Sequence, residues 1–192
     1  MTKNDIITLP HDSLRTRSAR VPVVTDEILT LIKDMESATL DWEASREHEV
    51  GVALAAVQID RMHRVVVIRD DFNDKNNSNF QVYINPEIVK YEGEIEEDFE
   101  GCLSVKNVYG KVPRYTKIRV KAMGLEGQEI RLRAEGFLAR VFQHEIDHTV
   151  GKLFVDHIQD SPEALYRLAD DGSIKSLSND ERKKAMEVLF DD

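Results

Sequence analysis

One cysteine in 192 residues, Cys102, leaves no partner for an intrachain disulfide, and a lone thiol suits a reducing compartment. No apolar run approaches the ~20 residues of a membrane span, so a transmembrane helix is not expected. Met1 to Pro10 lacks the basic and then apolar blocks of a secretory signal, and the expected location is the cytoplasm. Basic residues are the minority: 26 Lys and Arg against 36 Asp and Glu give a net charge of -10. Such a surface argues against a nucleic-acid backbone as the main partner. Internal repeats, low-complexity tracts and linker-like stretches are missing as well. One domain over residues 1–192 is therefore expected, and a chain of this length buries a core unaided.

What is present is a change of periodicity along the chain. Thr25 precedes Asp26 and Glu27, which favour a helix N-terminus, and Ile28, Leu31, Ile32, Met35 and Trp42 recur at helical spacing. Arg64 to Ile68 is short and β-branched, so it reads as a strand. Asp71 to Asn79 reads as a polar surface loop. Phe80 to Ile84 and Ile88 to Tyr91 read as strands, with Asn85-Pro86 as the turn between them. Lys117 to Met123 and Glu129 to Arg133 alternate around a Gly-containing turn and predict a hairpin. From Phe137 to Val150 the period is helical, with Gly151 as its stop. A helix is expected to start at Ser161-Pro162-Glu163 and another to cover Asn179 to Phe190. The fold class this predicts is α+β: mixed or antiparallel sheets around a central helix, with an N-terminal helix and C-terminal helices.

That central helix carries His144-Glu145-Ile146-Asp147-His148. Residues four apart share a helix face, so both imidazoles reach one metal ion, and Glu145 stands beside them as a proton acceptor. The plain alternative is two surface histidines on a charged helix. Phe142, Ile146 and Val150 argue against it by making the helix apolar enough to pack inside. A catalytic site of this kind needs a third protein ligand and an open position. His157 lies nine residues after His148, whereas a metzincin needs a histidine six residues after, where Phe154 stands. A downstream Glu, as in thermolysin-like proteases, and Cys102 in Glu100-Gly101-Cys102-Leu103-Ser104 remain. A structural buried cysteine is the usual reading of a lone Cys, but a thiolate with two imidazoles also makes a soft-to-borderline set for zinc or ferrous iron.

These segments resemble one family. Glu100 to Ser104 matches the EGCLS motif of peptide deformylases and His144 to His148 their HExDH motif, while Gly51-Val52-Ala53-Leu54-Ala55-Ala56-Val57-Gln58 is similar to their GxGLAAxQ motif. The order along the chain is the family's. Leu14-Arg15, Asn85-Pro86, Val112-Pro113-Arg114, Gln143 and Gly151 to Phe154 agree too, and the resemblance runs from Leu9 to Ile158. Residues 160–192 form an extension, expected to be helical, whose role is unassigned. Two positions depart: Ala53 stands for a usual glycine and Thr149 for a usual leucine. At Ala53 an added methyl would be strained at positive φ and would crowd a backbone approaching this edge.

The resemblance implies removal of the N-formyl group from the formyl-methionine of nascent polypeptides, met at the ribosome, by a monomer. It implies Cys102, His144 and His148 as ligands of one divalent ion, Fe(2+) first, with Zn(2+), Ni(2+) or Co(2+) also suited to the donors. Glu145 would handle the proton, and the Gln58 amide and Leu103 backbone N–H would stabilise the oxyanion. Gly51, Val52 and Ala53 would pair with the substrate as a strand. Val52, Phe137 and Val141 are candidates for the methionine pocket, although helical spacing alone makes the last two core residues. Arg140 is expected to reach over the mouth. Glu100 and Arg114 are read as an ion pair holding the ligand loop, against two solvated charges, and Asp147 either as an orienting group or as a plain helix-surface acid. His11, His48, His63 and His157 lack metal spacing and are read as ordinary. Two competing readings are a zinc endopeptidase using the same helix and a binding module that holds N-termini without cleaving them. Glu145 speaks against the module, which needs no base.

Overall fold

The computed structural model describes residues 1–74 and 76–190. Helix α1 covers Asp26–Ala44 and starts where the Thr25 hydroxyl accepts the Ile28 N–H, with Asp26 and Glu27 in the first turn. Strand β1 is Ala53–Ala55 and β2 is Val65–Arg69, paired antiparallel. Every residue of β2 is buried, as expected of a strand covered on both faces. Alternation divides them: Val65 and Val67 join Leu54 and the apolar face of α1, while Val66 and Ile68 join Ala53 and Ala55 on the opposite side. That opposite side packs on helix α2, Gly136–Thr149, through Ala139, Val141 and Phe142.

Strands β3 (Phe80–Cys102) and β4 (Val105–Met123) form a long bent hairpin joined by Leu103-Ser104, and β5 (Glu129–Glu135) pairs with the far end of β4. Asn85-Pro86 therefore does not separate two strands. Asn85 adopts φ 52 within β3, the register shifts between Ile84 and Glu87, and its side chain bonds both the N–H and the C=O of Val21. A bulge satisfied from a distant loop keeps one strand where local signals predict two. The expected 117–133 hairpin is present as β4 and β5, and α2 gives way to Gly151 at φ 78.

The C-terminal region departs from an all-helical extension. Pro162–Ala164 is only a short 3-10 turn, and β6 (Leu165–Leu168) and β7 (Ile174–Ser176) follow as a hairpin on the edge of β4. A single helix, α3 (Asn179–Phe190), ends the described chain and sets Leu189 into a cluster with Leu153, Phe154 and Ile158. The seven strands form one antiparallel sheet of order β1-β2-β3-β4-β6-β7, with β5 also on β4. That sheet, rather than α2, is the organising element, and α2 is buried against it. Among the described residues no helix is long and apolar enough to cross a membrane.

Candidate metal centre and cleft

Cys102 is the last residue of β3, and the turn that follows it aims the strand end at α2. There His144 and His148 sit one turn apart, with ring centroids 5.0 Å from each other. One ligand atom from each of Cys102, His144 and His148 lies within 4.8 Å of the others, and Cys102 Sγ is 3.3 Å from His148 Nε2. A sulfur and two imidazole nitrogens at that spacing, largely buried, fit a transition-metal ion with three protein ligands and a fourth position left over. Burial, reinforced by the neighbouring His144, holds His148 well below the usual imidazole range. At His144 burial pulls the same way, but the Cys102 sulfur and the Glu100 carboxylate outweigh it and raise the pKa.

Glu145 is 5% exposed, and its Oε2 has no hydrogen-bond partner among the described residues. Burial pushes its pKa up to about 7, against the pull of His144 and with the help of Glu100. A carboxyl poised near neutrality beside a ligand cluster can both accept and return a proton.

Around the cluster the charges compensate one another. Arg114 grips Glu100 with two bonds, Nε to Oε1 at 2.9 Å and Nη2 to Oε2 at 3.1 Å. Arg140 Nη1 adds a third at 2.9 Å, and His144 Nδ1 lies 2.8 Å from Glu100 Oε2. Burial would raise the Glu100 pKa, but His144 and Arg114 prevail and hold it well below the carboxylate range. With Nδ1 committed to Glu100, the other nitrogen of His144 is left for the cluster. Arg114 also donates to Asp147 at 2.6 Å, and His157 Nε2 lies 2.7 Å from the same carboxylate oxygen. Two guanidinium groups thus meet two carboxylates, which is what allows so many charges to be buried.

Gln58 follows β1 in the short turn Ala56–Ile59. The Ala55 N–H donates to its Oε1 at 2.9 Å, which turns the amide NH₂ toward the centre, 3.5 Å from Cys102 Sγ and 3.2 Å from Ser104 Oγ. Leu103, the first turn residue after Cys102, is half-buried and lines the same cleft.

The cleft encloses about 310 Å³, and Val52, Ala53, Phe137, Val141 and Arg140 all line it. Val141 is buried and Phe137 is 47% exposed, its ring edge-on to Phe72 at 4.9 Å. Arg140 differs from expectation. Instead of reaching over the mouth it is drawn onto Glu100 and the carbonyls of Val112 and Glu96, at 2.7 and 2.8 Å. Gly51 lies between the cleft-lining residues Val50 and Val52 but does not itself line the cleft. Its N–H goes to Glu43 Oε2 at 2.7 Å, and a Cβ there would stand 2.7 Å from Thr39 Cγ2, so the glycine serves the packing of α1. Ala53 is not among the residues at positive φ, so its methyl carries no backbone strain.

Several neighbours carry no signal in the sequence. Glu49 accepts from the Tyr109 hydroxyl at 2.6 Å across the outer part of the cleft, and burial together with Glu49 raises the Tyr109 pKa. His157 lacks metal spacing, and its partners Asp147 and Arg114 meet it only through the fold.

The family model for polypeptide deformylase matches residues 3–163. The chain belongs to the polypeptide deformylase family. A peptide deformylase of Thermomicrobium roseum is 39% identical over 169 residues, covering 86% of this chain and 92% of that protein. The crystal structure of a peptide deformylase from Synechococcus elongatus in complex with actinonin superposes with a TM-score of 0.74 at 30% identity, covering 95% of this chain and 85% of that one. The Met-Ala-Ser-bound class I type b peptide deformylase of Acinetobacter baumannii gives a TM-score of 0.70 at 31% identity, covering 80% and 96%. Membership makes the chain a metal-dependent deformylase-type enzyme and implies removal of the N-formyl group from nascent peptides. The β6-β7 hairpin and α3 lie beyond the residues that the family model matches.

Proposed function

We propose that the chain hydrolyses the formyl amide of N-terminal formyl-methionine with Cys102, His144 and His148 as ligands of one ferrous ion, Glu145 as the proton carrier, and Gln58 and Leu103 as oxyanion donors. The observation that carries this reading is Glu145: a buried carboxyl oxygen without a partner, beside converging donors, at the inner end of a cleft. When bound, the ion supplies Lewis acidity, which makes water a nucleophile near neutral pH. Glu145 takes the proton of the attacking water and returns it to the amine nitrogen, so that the C–N bond breaks to formic acid and a free amine. Transfer of the acid's proton to the amine leaves formate and a protonated N-terminus. The Gln58 NH₂, oriented by the Ala55 N–H, and the Leu103 N–H donate to the oxygen that gains charge as the formyl carbon becomes tetrahedral.

The peptide is held along β1. The Val52 carbonyl accepts from the Arg69 N–H at 2.8 Å, so strand alternation turns the N–H and C=O of Ala53 away from β2, toward the open edge of the sheet. A substrate strand can pair there without regard to its sequence, which suits an enzyme for many nascent chains at the ribosome. Val141, Val52 and Phe137 offer the apolar wall for methionine. A thiol ligand needs reducing surroundings, which supports the cytoplasm. The donor set admits zinc, nickel or cobalt as well, and iron is our assignment by family. The binding-module reading rested on Ala53, and the unstrained backbone there removes its support. The test is anaerobic assay of formate release from a formyl-Met peptide with metal quantified in the same sample. Stoichiometric metal with no formate released would overturn the reading.

A further inference from the structure

The cleft has an inner end at Cys102 and an outer end at residues that no motif covers. Ala55 is tied to Gln58, so the Ala55 end of β1 lies at the metal centre, while the Gly51 end leads to Glu49 and His48. From Ala53 to Glu49 an extended chain spans about 13 Å, so a peptide whose formyl group sits at the centre meets this outer wall only from about its third residue onward. The outer wall consists of Phe99, Tyr109 and His48.

All three are backed by the C-terminal hairpin. Tyr166 of β6 is paired with Tyr109 in the sheet, and its ring stands edge-on to Phe99 at 4.9 Å and 89°. Gly172, at the hairpin tip with φ 78, passes so close to His48 that a Cβ on it would lie 2.9 Å from His48 Cγ. Leu165 is fully buried and anchors the hairpin in the cluster that also holds Leu189. The hairpin therefore touches both sides of the outer cleft, yet Tyr166 and Gly172 are not among the cleft-lining residues.

We infer that the β6-β7 hairpin is a positioning element for the outer cleft, which sets how the enzyme engages substrate residues beyond the second. This rests on the deformylase reading above. It assigns to Tyr166 and Gly172 an indirect role: Tyr166 holds Phe99 and Tyr109 in place, and the tip at Gly172 limits where His48 stands. The hairpin pairs with Tyr109 and Gly110, which pair in turn with Gly101 and Glu100. The side-chain bonds that brace the metal centre, however, run among Glu100, Arg114 and Arg140, so a change confined to the Tyr166 ring or the Gly172 tip leaves those bonds in place.

The experiment compares the iron-loaded parent with Tyr166→Ala, Tyr166→Phe and Gly172→Ala on formyl-Met-Ala and on formyl-Met-Ala-Ser-Ala-Ala. For Tyr166→Ala, KM for the longer peptide rises about two- to tenfold, the range set by loss of one edge-to-face aromatic pair, while kcat and the dipeptide KM stay at parent values. Tyr166→Phe keeps the ring edge and behaves as the parent. Gly172→Ala pushes on His48 and raises the same KM, which preserves the test should Tyr166→Ala not fold. Equal KM changes on both peptides, a fall in kcat, or no change in Tyr166→Ala and Gly172→Ala would each overturn the inference. If the parent releases no formate from either peptide, the deformylase reading falls and takes this one with it. If every protein releases it with one length dependence, only the hairpin's role is lost.

Discussion

The two ends of the cleft are held by different physics. At the inner end Glu100 takes bonds from Arg114, Arg140 and His144, and Arg114 goes on to Asp147, so each group of this network has at least one charged partner. At the outer end Phe99 leans on Tyr166, the Tyr109 hydroxyl donates to Glu49, and Glu49 pairs with the partly exposed Arg46 at 3.5 Å. Buried charge is unforgiving: removing one member leaves the others uncompensated, at about 3–5 kcal/mol. Aromatic packing is graded, and loss of one pair costs about 0.5–1.5 kcal/mol. The inner end is thus suited to fixing atoms within a narrow tolerance, and the outer end to accepting varied peptides. Substitutions at the inner end should change chemistry or folding, and those at the outer end affinity.

The largest effect is expected at Glu145. Glu145→Gln keeps nearly the same shape but cannot carry a proton, so kcat should fall about 10²- to 10⁴-fold with metal content unchanged. In the parent the carboxylate form is the active one, so the rate should rise with pH through the Glu145 pKa. Burial sets that value at about 7, and a bound cation would lower it. The acidic limb of the pH–rate profile should therefore lie at or below pH 7 and disappear in Glu145→Gln. A variant that binds one ion and turns over at the parent rate would remove Glu145 from the mechanism.

Cys102→Ser comes next. A hydroxyl is a far poorer ligand than a thiolate at neutral pH, so bound metal and activity should fall together. Elemental analysis of the purified variant, with formate release in parallel, checks this. A formyl-thioester on Cys102 caught by mass spectrometry during turnover would instead make it a nucleophile.

Glu100→Gln separates the two ends most directly. The amide still accepts hydrogen bonds but carries no charge, so Arg140 and His144 lose their carboxylate partner and Arg114 keeps only Asp147. Stability should fall by about 3–5 kcal/mol, read from denaturant unfolding. Metal affinity or activity should fall about 10- to 100-fold, the usual cost of losing a group that orients a ligand. If neither moves, the buried network is decoration and the contrast between the two ends collapses.

How much of this was legible in the sequence follows from how local each signal is. The His144 to His148 spacing and the apolar period of α1 lie within single elements, so spacing alone locates them. Cys102 was legible only as a candidate until the family motifs were set beside it. Asn85 misled because its partner is Val21, which no local window contains, and a turn signal became a bulge. The β6-β7 hairpin escaped since strands of four and three residues are too short for alternation to register. Arg140 was placed on the correct helix, but the turn of its side chain toward Glu100 depends on a strand 40 residues away in sequence. Charge partners across elements are what a sequence hides best.

The smallest effect is expected at Ala53, where the outer edge begins. Its N–H and C=O face the open side of β1, its methyl sits in the cluster shared with α2, and its φ is not positive. Glycine there would remove buried methyl surface and loosen the strand, at about 0.5–1 kcal/mol of stability. It would also let a substrate backbone approach a little more closely. Ala53→Gly should therefore lower KM for formyl-Met peptides less than tenfold, leave kcat unchanged and slightly lower the melting temperature. Peptides of increasing length separate the causes. If substrate pairs along β1, a gain at Ala53 should be the same for a dipeptide and a pentapeptide, because both cover this position, while Tyr166→Ala discriminates between them. A change confined to kcat would mean that Ala53 acts on the transition state, and then the division between a chemical inner end and a binding outer end lies farther along the cleft than Ala53.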